Sequence, residues 1–266
     1  MANVFAPRLL GKTGFMAGPL GVGSSYGVGA KGIEEAFDRG VNYFYWAWAR
    51  RQGMRKGLRN ICRKNREKVF ISITSLVPTG PMIRFSVTRV LRALQIDYVD
   101  GLLFFLFKNR PLFKSQIEPA LRLKEQGLVR HIGFSSHHRP NFPRFAKEPH
   151  IDIEHIRYNA IHRGAETEVF PHLPPKGSKE RPGIVIFTAT SWRQIITADP
   201  EKLNGLKIPT AGDCYRFVLS HPDVDVCLTG PSNDHEMRHA LDAVEKGPMT
   251  EDELNWMRAV GAAIKK

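Results

Sequence analysis

Arginine, histidine and aromatic residues cluster at and just beyond the carboxyl ends of strand-like apolar runs in this chain. They are Tyr43, Tyr45, Trp46, Trp48, Arg50, Arg51, His137, His138, Arg139, Arg157, Tyr158, Asn159, His162, Arg163, Trp192 and Arg193. Arginine binds carboxylates and phosphates through paired hydrogen bonds, and aromatic rings stack on flat groups. Acids are few here, so the set favours a small anionic or aromatic ligand. The residues expected to contact it are Trp46, Trp48, His137, Arg157, Trp192 and Arg193.

Four histidines in these segments raise the question of a metal site, namely His137, His138, His155 and His162. Adjacent histidines in a loop seldom bind the same ion, and the sequence places no acidic partner with them. We therefore expect no metal. Hydrogen-bonding, general-base and purely surface roles stay open for these histidines.

The charge of the chain is concentrated in one segment. The sequence has 39 Lys and Arg residues against 26 Asp and Glu residues, a net charge of +13. Residues 50–68, RRQGMRKGLRNICRKNREK, contain nine basic residues and one acid. The apolar residues of this segment follow helical spacing, which aligns Arg55, Arg59 and Arg63 on another face. A solvated outer helix face and an anion-binding surface are the two interpretations.

The sequence also argues against several classes of protein. It contains no helix-turn-helix, zinc-finger or RNP motif, so we expect no nucleic acid partner. No run approaches 18 apolar residues and the first residues do not resemble a signal peptide, so we expect no membrane association and a cytoplasmic location. Cys62, Cys214 and Cys227 form no C-x-x-C pair, which argues against a cysteine-rich zinc module.

Short apolar runs alternate with amphipathic helical segments along the chain. The runs are near-continuous, as in parallel strands buried on both faces, and they cover residues 20–24, 41–45, 69–74, 99–105, 132–135, 153–158, 184–188 and 224–228. The helical segments cover residues 32–40, 82–94, 116–126, 210–220, 234–245 and 250–263. Eight such units predict an α/β fold, a (β/α)8 TIM barrel. The preceding LLGKTGFMAGPL predicts an N-terminal β-hairpin that closes the barrel floor.

A doubly wound open sheet is the alternative architecture. It is disfavoured because no G-x-G-x-x-G follows the first strand. No polar linker or change of composition divides the chain, so residues 1–266 are expected to form a single domain.

Several strings resemble those of aldo-keto reductases. They are LLGKTGFMAGPLGVGSS, AFDRGVNYF, REKVFI, LRALQIDYVD, KEQGLVRHIGFSS, the pair Tyr158-Asn159, and FVLSHPDVDVCLTGPSN. The strings occur in the family's order and span nearly the whole chain. The resemblance implies a (β/α)8 barrel that binds NADP(H) in an extended form at its carboxyl-terminal mouth.

The resemblance also implies four catalytic positions, and this chain has other residues at all of them. The family has an aspartate where Tyr45 stands, a tyrosine acid at Arg50, a lysine at Thr74 (or Ser75 with a one-residue slip) and a histidine at Phe105. Carbonyl reduction needs a proton donor at the developing oxyanion. Arginine is too weak an acid for that role, and no lysine stands beside Tyr45. Ordinary carbonyl reduction is therefore not expected.

The cofactor positions are only partly kept. By resemblance, Ser135, Ser136 and His155 would meet the nicotinamide amide, and the ring of Phe187 would stack on the nicotinamide. Donors for a phosphate come from Gly230, Ser232 and Asn233 at a helix N-terminus, although Ser232 replaces the family's basic residue. A simple helix N-cap is the alternative role of Ser232 and Asn233.

Three functions therefore stay open. The first is an oxidoreductase of the aldo-keto reductase type that uses NADP(H). The second is a non-redox enzyme or ligand-binding protein that uses the arginine and aromatic residues of the barrel mouth. The third, a nucleic-acid-binding protein acting through residues 50–68, is the one the missing motifs disfavour.

Overall fold

Eight apolar runs form a closed barrel of parallel strands in the computed structural model, which describes residues 5–23, 26–46, 52–75, 79–106, 114–145 and 148–265. The strands are β1 Arg8–Leu9, β2 Met16–Ala17, β3 Leu20–Gly23, β4 Tyr43–Trp46, β5 Phe70–Ser75, β6 Val99–Leu106, β7 Val129–Ser136, β8 Ile153–Arg157, β9 Gly183–Phe187 and β10 Val226–Thr229. The helices are α1 Ala30–Asp38, α2 Gln52–Asn65, α3 Gly80–Leu94, α4 Lys114–Glu125, α5 Asn141–Phe145, α6 Ala165–Glu168, α7 Ala211–Ser220, α8 Asp234–Glu245 and α9 Glu251–Lys265.

The predicted barrel and hairpin are both confirmed. Strands β3 to β9 follow each other in order around the barrel, and β10 closes it by pairing with β3 and β9. Strands β1 and β2 form an antiparallel hairpin in which Leu9 pairs with Met16. Leu10 is fully buried in the interior cluster, and the ring of Phe15 meets that of Phe70 at 5.2 Å. The hairpin therefore packs against the residues that fill the barrel.

Side chains alternate between the two faces of each strand. Tyr43, Phe70 and Leu103 belong to the cluster that fills the barrel. Phe44 and Phe104 belong to the larger cluster under the helices. This alternation decides which residue of each strand end can reach a ligand at the mouth.

The helices differ from the prediction on one side of the barrel. After β8 the chain forms the four-residue α6 and a short 3-10 helix at Phe170–His172, in place of a long helix. After β9 it forms turns before α7 begins at Ala211. Strand β7 also begins earlier than predicted, at Val129, because that residue already pairs with Val99 of β6.

Part of the basic segment forms α2, as its spacing predicts. Met54, Leu58 and Ile61 are buried, Arg55 and Arg63 are exposed, and Arg59 donates to the carbonyl of Ala93 at 2.8 Å. The anion-binding interpretation of this surface stays a prediction. In the described ranges, no helix is long and apolar enough to cross a membrane.

Glu154 is a buried carboxyl on the outer face of β8. It is fully buried, and within the described residues neither carboxylate oxygen has a hydrogen-bond partner. Burial raises its pKa from the ordinary 4.5 to about 8, although the charges of Arg181 and Lys12 oppose the shift. The folded state therefore favours the protonated form.

We expect Glu154→Gln to flatten the dependence of stability on pH. In the native protein the proton on Glu154 contributes to the free energy of unfolding. This contribution is fully present below about pH 4.5 and is lost as the pH rises through about 8. The loss reaches up to about 1.4 kcal/mol per pH unit. Denaturant unfolding from pH 5 to 8 should therefore show a steeper decline for the native protein than for Glu154→Gln.

Glu148→Gln, at an exposed glutamate, is the matched control and should follow the native profile. Parallel stability profiles for the native protein and Glu154→Gln would contradict the assignment of a buried proton to Glu154.

Candidate functional site at the barrel mouth

A cavity of about 420 Å³ opens at the carboxyl ends of the barrel strands. It is lined by Gly23, Tyr26, Tyr45, Phe105, Ser135, His137, His155, Phe187, Thr188, Ala189, Thr190, Trp192, Arg193, Tyr215, Leu228, Thr229, Gly230 and Ser232. Arg193 is the single arginine or lysine in this lining, and no carboxylate belongs to it in the described part of the chain. The cavity is thus an aromatic chamber with few charges.

His137 is the centre of the aromatic wall. Its ring stacks on Trp192 with centroids 5.9 Å apart, and it meets the rings of Phe187 and Phe105 edge-on at 5.1 and 6.1 Å. Burial and then the charge of Arg157 lower the pKa of His137. A neutral imidazole is therefore favoured at this wall, and it offers a flat surface to a ligand ring.

The segment that carries Trp192 has an uncommon backbone. Thr188, Ser191, Trp192 and Arg193 have φ between 50° and 74°, the left-handed region. Each such residue destabilises the fold by roughly 1–2 kcal/mol, which surrounding contacts must offset. Hydrogen bonds hold the segment here, because Asn159 Nδ2 and the Ser191 N–H both donate to the Thr188 carbonyl at 2.8 Å. The strained backbone places Trp192, which is 62% exposed, against His137 at the cavity edge.

Two hydrogen-bonded pairs form the bottom of the cavity. The Tyr45 hydroxyl lies 2.6 Å from Thr74 Oγ1, and the Tyr43 hydroxyl lies 2.7 Å from His155 Nε2. Burial raises the pKa of Tyr45, and burial lowers the pKa of His155 to about 3. Both groups are therefore neutral near pH 7, and the Tyr45 hydroxyl is a weaker acid than an ordinary tyrosine.

The turn after β10 is already occupied by carboxylates. The Ser232 N–H donates to Glu236 Oε2 at 2.8 Å, and the Glu236 N–H donates to Asn233 Oδ1 at 2.8 Å. The Gly29 N–H donates to Asp234 Oδ1 at 2.6 Å, and Arg193 lies 3.9 Å from Glu236. These contacts stabilise the amino end of α8 and place negative charge there, which opposes the binding of a phosphate.

Most of the predicted site residues meet in the cavity. Those that line it are Tyr45, Phe105, Ser135, His137, His155, Phe187, Trp192, Arg193, Gly230 and Ser232. Thr74 contacts Tyr45 at the bottom. Arg157 ends β8 at the rim. Arg50 and Trp48 lie outside the described residues.

Three predicted site residues have other positions. Trp46 is buried in the cluster outside the barrel, because it follows the inward-facing Tyr45. Ser136 also faces outward, where its hydroxyl donates to the Leu106 carbonyl and accepts from the His138 N–H, both at 3.0 Å. Asn233 is the N-cap of α8 rather than a cavity residue.

Tyr26 and Tyr215 line the cavity and were not predicted to do so. Tyr26 packs over Gly230, where an added Cβ would come within 2.5 Å of its ring. A glycine in the turn after the last strand is the one sequence signal of that contact. Tyr215 belongs to a helix, and nothing in its local sequence indicates that it reaches the mouth.

Solved structures of aldo-keto reductases share this fold. An aldo-keto reductase from Bacillus halodurans in its holo form superposes with a TM-score of 0.77 and 20% identity, covering 96% of each chain. Its apo form gives 0.78 and 22%, covering 96% of this chain and 95% of that one. A putative aldo-keto reductase from Pseudomonas aeruginosa gives 0.68 and 20%, covering 90% and 94%. No family model and no curated protein matches the chain.

The predicted resemblance is thus confirmed for the fold. The barrel and its hairpin have the fold of these solved aldo-keto reductases. The identities, near one fifth, carry no further statement about activity.

The cavity fits one end of NADP(H) and not the other. Phe187, Ser135 and His155 present a ring surface and polar atoms suited to a nicotinamide. At the other end, Glu236 accepts a hydrogen bond from the Ser232 N–H and lies 3.9 Å from Arg193, so a carboxylate already uses both groups. The residues therefore do not fit a 2′-phosphate. Among the described side chains, no group of three His, Cys, Asp and Glu residues is placed to hold a metal ion.

We expect Glu236→Gln to strengthen the binding of phosphate-bearing ligands. The substitution removes a negative charge from the amino end of α8 and leaves Arg193 without its carboxylate neighbour. Affinity for NADPH, measured by calorimetry, should rise about twofold to fivefold, as expected for one charge at a helix terminus.

Glu251→Gln, at the amino end of α9, is the matched control because it removes the same charge from a different helix terminus. If Glu236→Gln and the native protein bind NADPH equally, the carboxylate does not oppose a phosphate at this turn.

Proposed function

We propose that this protein is a diverged member of the aldo-keto reductase superfamily that binds a ligand with a flat ring in its barrel mouth. The wall of His137, Phe105, Phe187 and Trp192 is the observation that carries the proposal. Aromatic side chains arranged around a cavity bind planar groups by stacking and edge contacts. A nicotinamide nucleotide is the first ligand to test, because the superfamily uses it and the ring end of the cavity suits it.

Ordinary carbonyl reduction is not part of this proposal. It needs a donor that releases its proton to the developing oxyanion near neutral pH. The Tyr45 hydroxyl is bonded to Thr74, and burial raises its pKa. Within the described lining, no lysine lies near Tyr45 to reverse that shift. The groups that would make a tyrosine an efficient acid are thus replaced by neutral ones.

Titration with NADPH, NADP⁺ and NADH tests the proposed ligand, with calorimetry as the readout. Trp192→Ala should weaken ring binding about twofold to tenfold, because it removes one aromatic contact. Phe85→Ala removes an exposed aromatic residue of α3 outside the cavity lining and should leave the affinity unchanged. Equal losses in both variants, or no binding of these nucleotides or of simple aromatic probes, would contradict the proposal.

We expect negligible reduction of simple aldehydes with NADPH. Turnover on a panel of aliphatic and aromatic aldehydes, followed by NADPH absorbance, should stay far below about 1 per second, the low end of ordinary enzyme rates. Steady turnover at or above that rate would show that the mouth has a competent acid. Tyr45→Phe would then test whether Tyr45 is that acid, since it removes only the hydroxyl.

A further inference from the structure

Arg157 lies at the rim of the mouth on the inward-facing side of β8. It follows His155 by two residues and pairs in register with Phe187, and both of those side chains line the cavity. Arg157 is half-buried, and its guanidinium has no hydrogen bond or ion pair with any described residue. A guanidinium in such a place is costly to desolvate unless an anion accompanies it.

A second arginine, Arg139, follows the neighbouring strand β7. Ser136 pairs with Ile156, the residue before Arg157, and Arg139 comes three residues after Ser136. Its Nη2 lies 2.9 Å from Glu168 Oε1, and its Nε is buried with no partner in the described part of the chain. Its guanidinium packs on Gly164, where an added Cβ would come within 2.6 Å of Arg139 Cζ. The glycine and the carboxylate thus hold the guanidinium while one buried donor stays unused.

Positive charge dominates this part of the rim. Burial lowers the pKa of Arg157, and the charge of Arg139 lowers it further. Burial also lowers the pKa of His162, and the charges of Arg157, Lys265 and Arg139 lower it further. Among the described residues, Glu168 is the carboxylate that forms an ion pair in this cluster, and it pairs with Arg139. A cluster of mutually repelling cations with one partial counter-ion is stabilised when an anion binds to it.

We propose that Arg157 and Arg139 form a subsite for the carboxylate or phosphate group of a ligand whose aromatic ring occupies the mouth cavity. The ligand class is therefore an aromatic or ring-bearing acid. The ring part of this inference rests on the proposed function, whereas the anion part rests on the two arginines alone. The subsite contains neither Arg193 nor the turn after β10, which is already occupied by Glu236.

A matched pair of probes tests the subsite. 2-Naphthoate and 2-naphthamide have the same ring, and only the first has a negative charge. The native protein should bind the naphthoate about tenfold more tightly than the amide, as expected for a charge-assisted contact. Arg157→Gln and Arg139→Gln should each reduce that preference, and Arg157→Lys should keep part of it. Calorimetry gives the affinities, and circular dichroism confirms that the variants fold.

One control variant and one further test variant complete the experiment. Arg238→Gln removes an exposed arginine of α8 that is paired with Glu35, and it should leave the preference unchanged. Gly164→Ala should weaken naphthoate binding without a change of charge, because its Cβ displaces the Arg139 guanidinium.

Inorganic phosphate separates this inference from the proposed function. Phosphate should stabilise the native protein against heat and should stabilise Arg157→Gln much less. If phosphate acts in this way and neither naphthalene binds, the anion subsite stands and ring binding fails. If both naphthalenes bind the native protein equally, or if Arg157→Gln keeps the full preference for the naphthoate, the anion subsite is overturned.

Discussion

The site depends on the alternation of side chains along the strands of a closed barrel. Each strand end contributes one inward residue to the mouth and turns the next residue towards the helices. Tyr45 and Ser135 face the cavity for this reason, while their neighbours Trp46 and Ser136 do not. Closure of the barrel through β10 then brings Gly230 and Ser232 next to Tyr26 and completes the chamber.

Within this frame, neutral hydrogen-bonded pairs form the bottom of the cavity. The hydroxyls of Tyr45 and Thr74 hydrogen-bond to each other, and both groups are neutral. The cations lie instead at the rim, in Arg157 and Arg139, and at the cavity edge, in Arg193. Polar recognition is thus separated from the apolar interior, an arrangement that suits binding and orientation of a ligand more than proton transfer.

The sequence predicts the barrel well because each strand is a buried apolar run with its own turn signals, as at residues 99–105 and 184–188. Phe105, His155 and Phe187 also line the mouth, and the resemblance to aldo-keto reductases, rather than the strand pattern, predicts them there. The sequence does not show that Trp46 and Ser136 face outward, because it does not indicate which residue at a strand end is the last to face inward. Tyr215 and the carboxylate of Glu236 reach the site only through packing, and no local pattern indicates that.

The left-handed backbone at Thr188, Ser191, Trp192 and Arg193 is maintained at a cost in stability. Glycine adopts this backbone without the steric cost that other residues meet. A glycine-rich segment of the same shape would therefore be easier to form, but it would have no indole ring and no guanidinium. The ring and the charge at the edge of the mouth are thus kept at the expense of backbone stability.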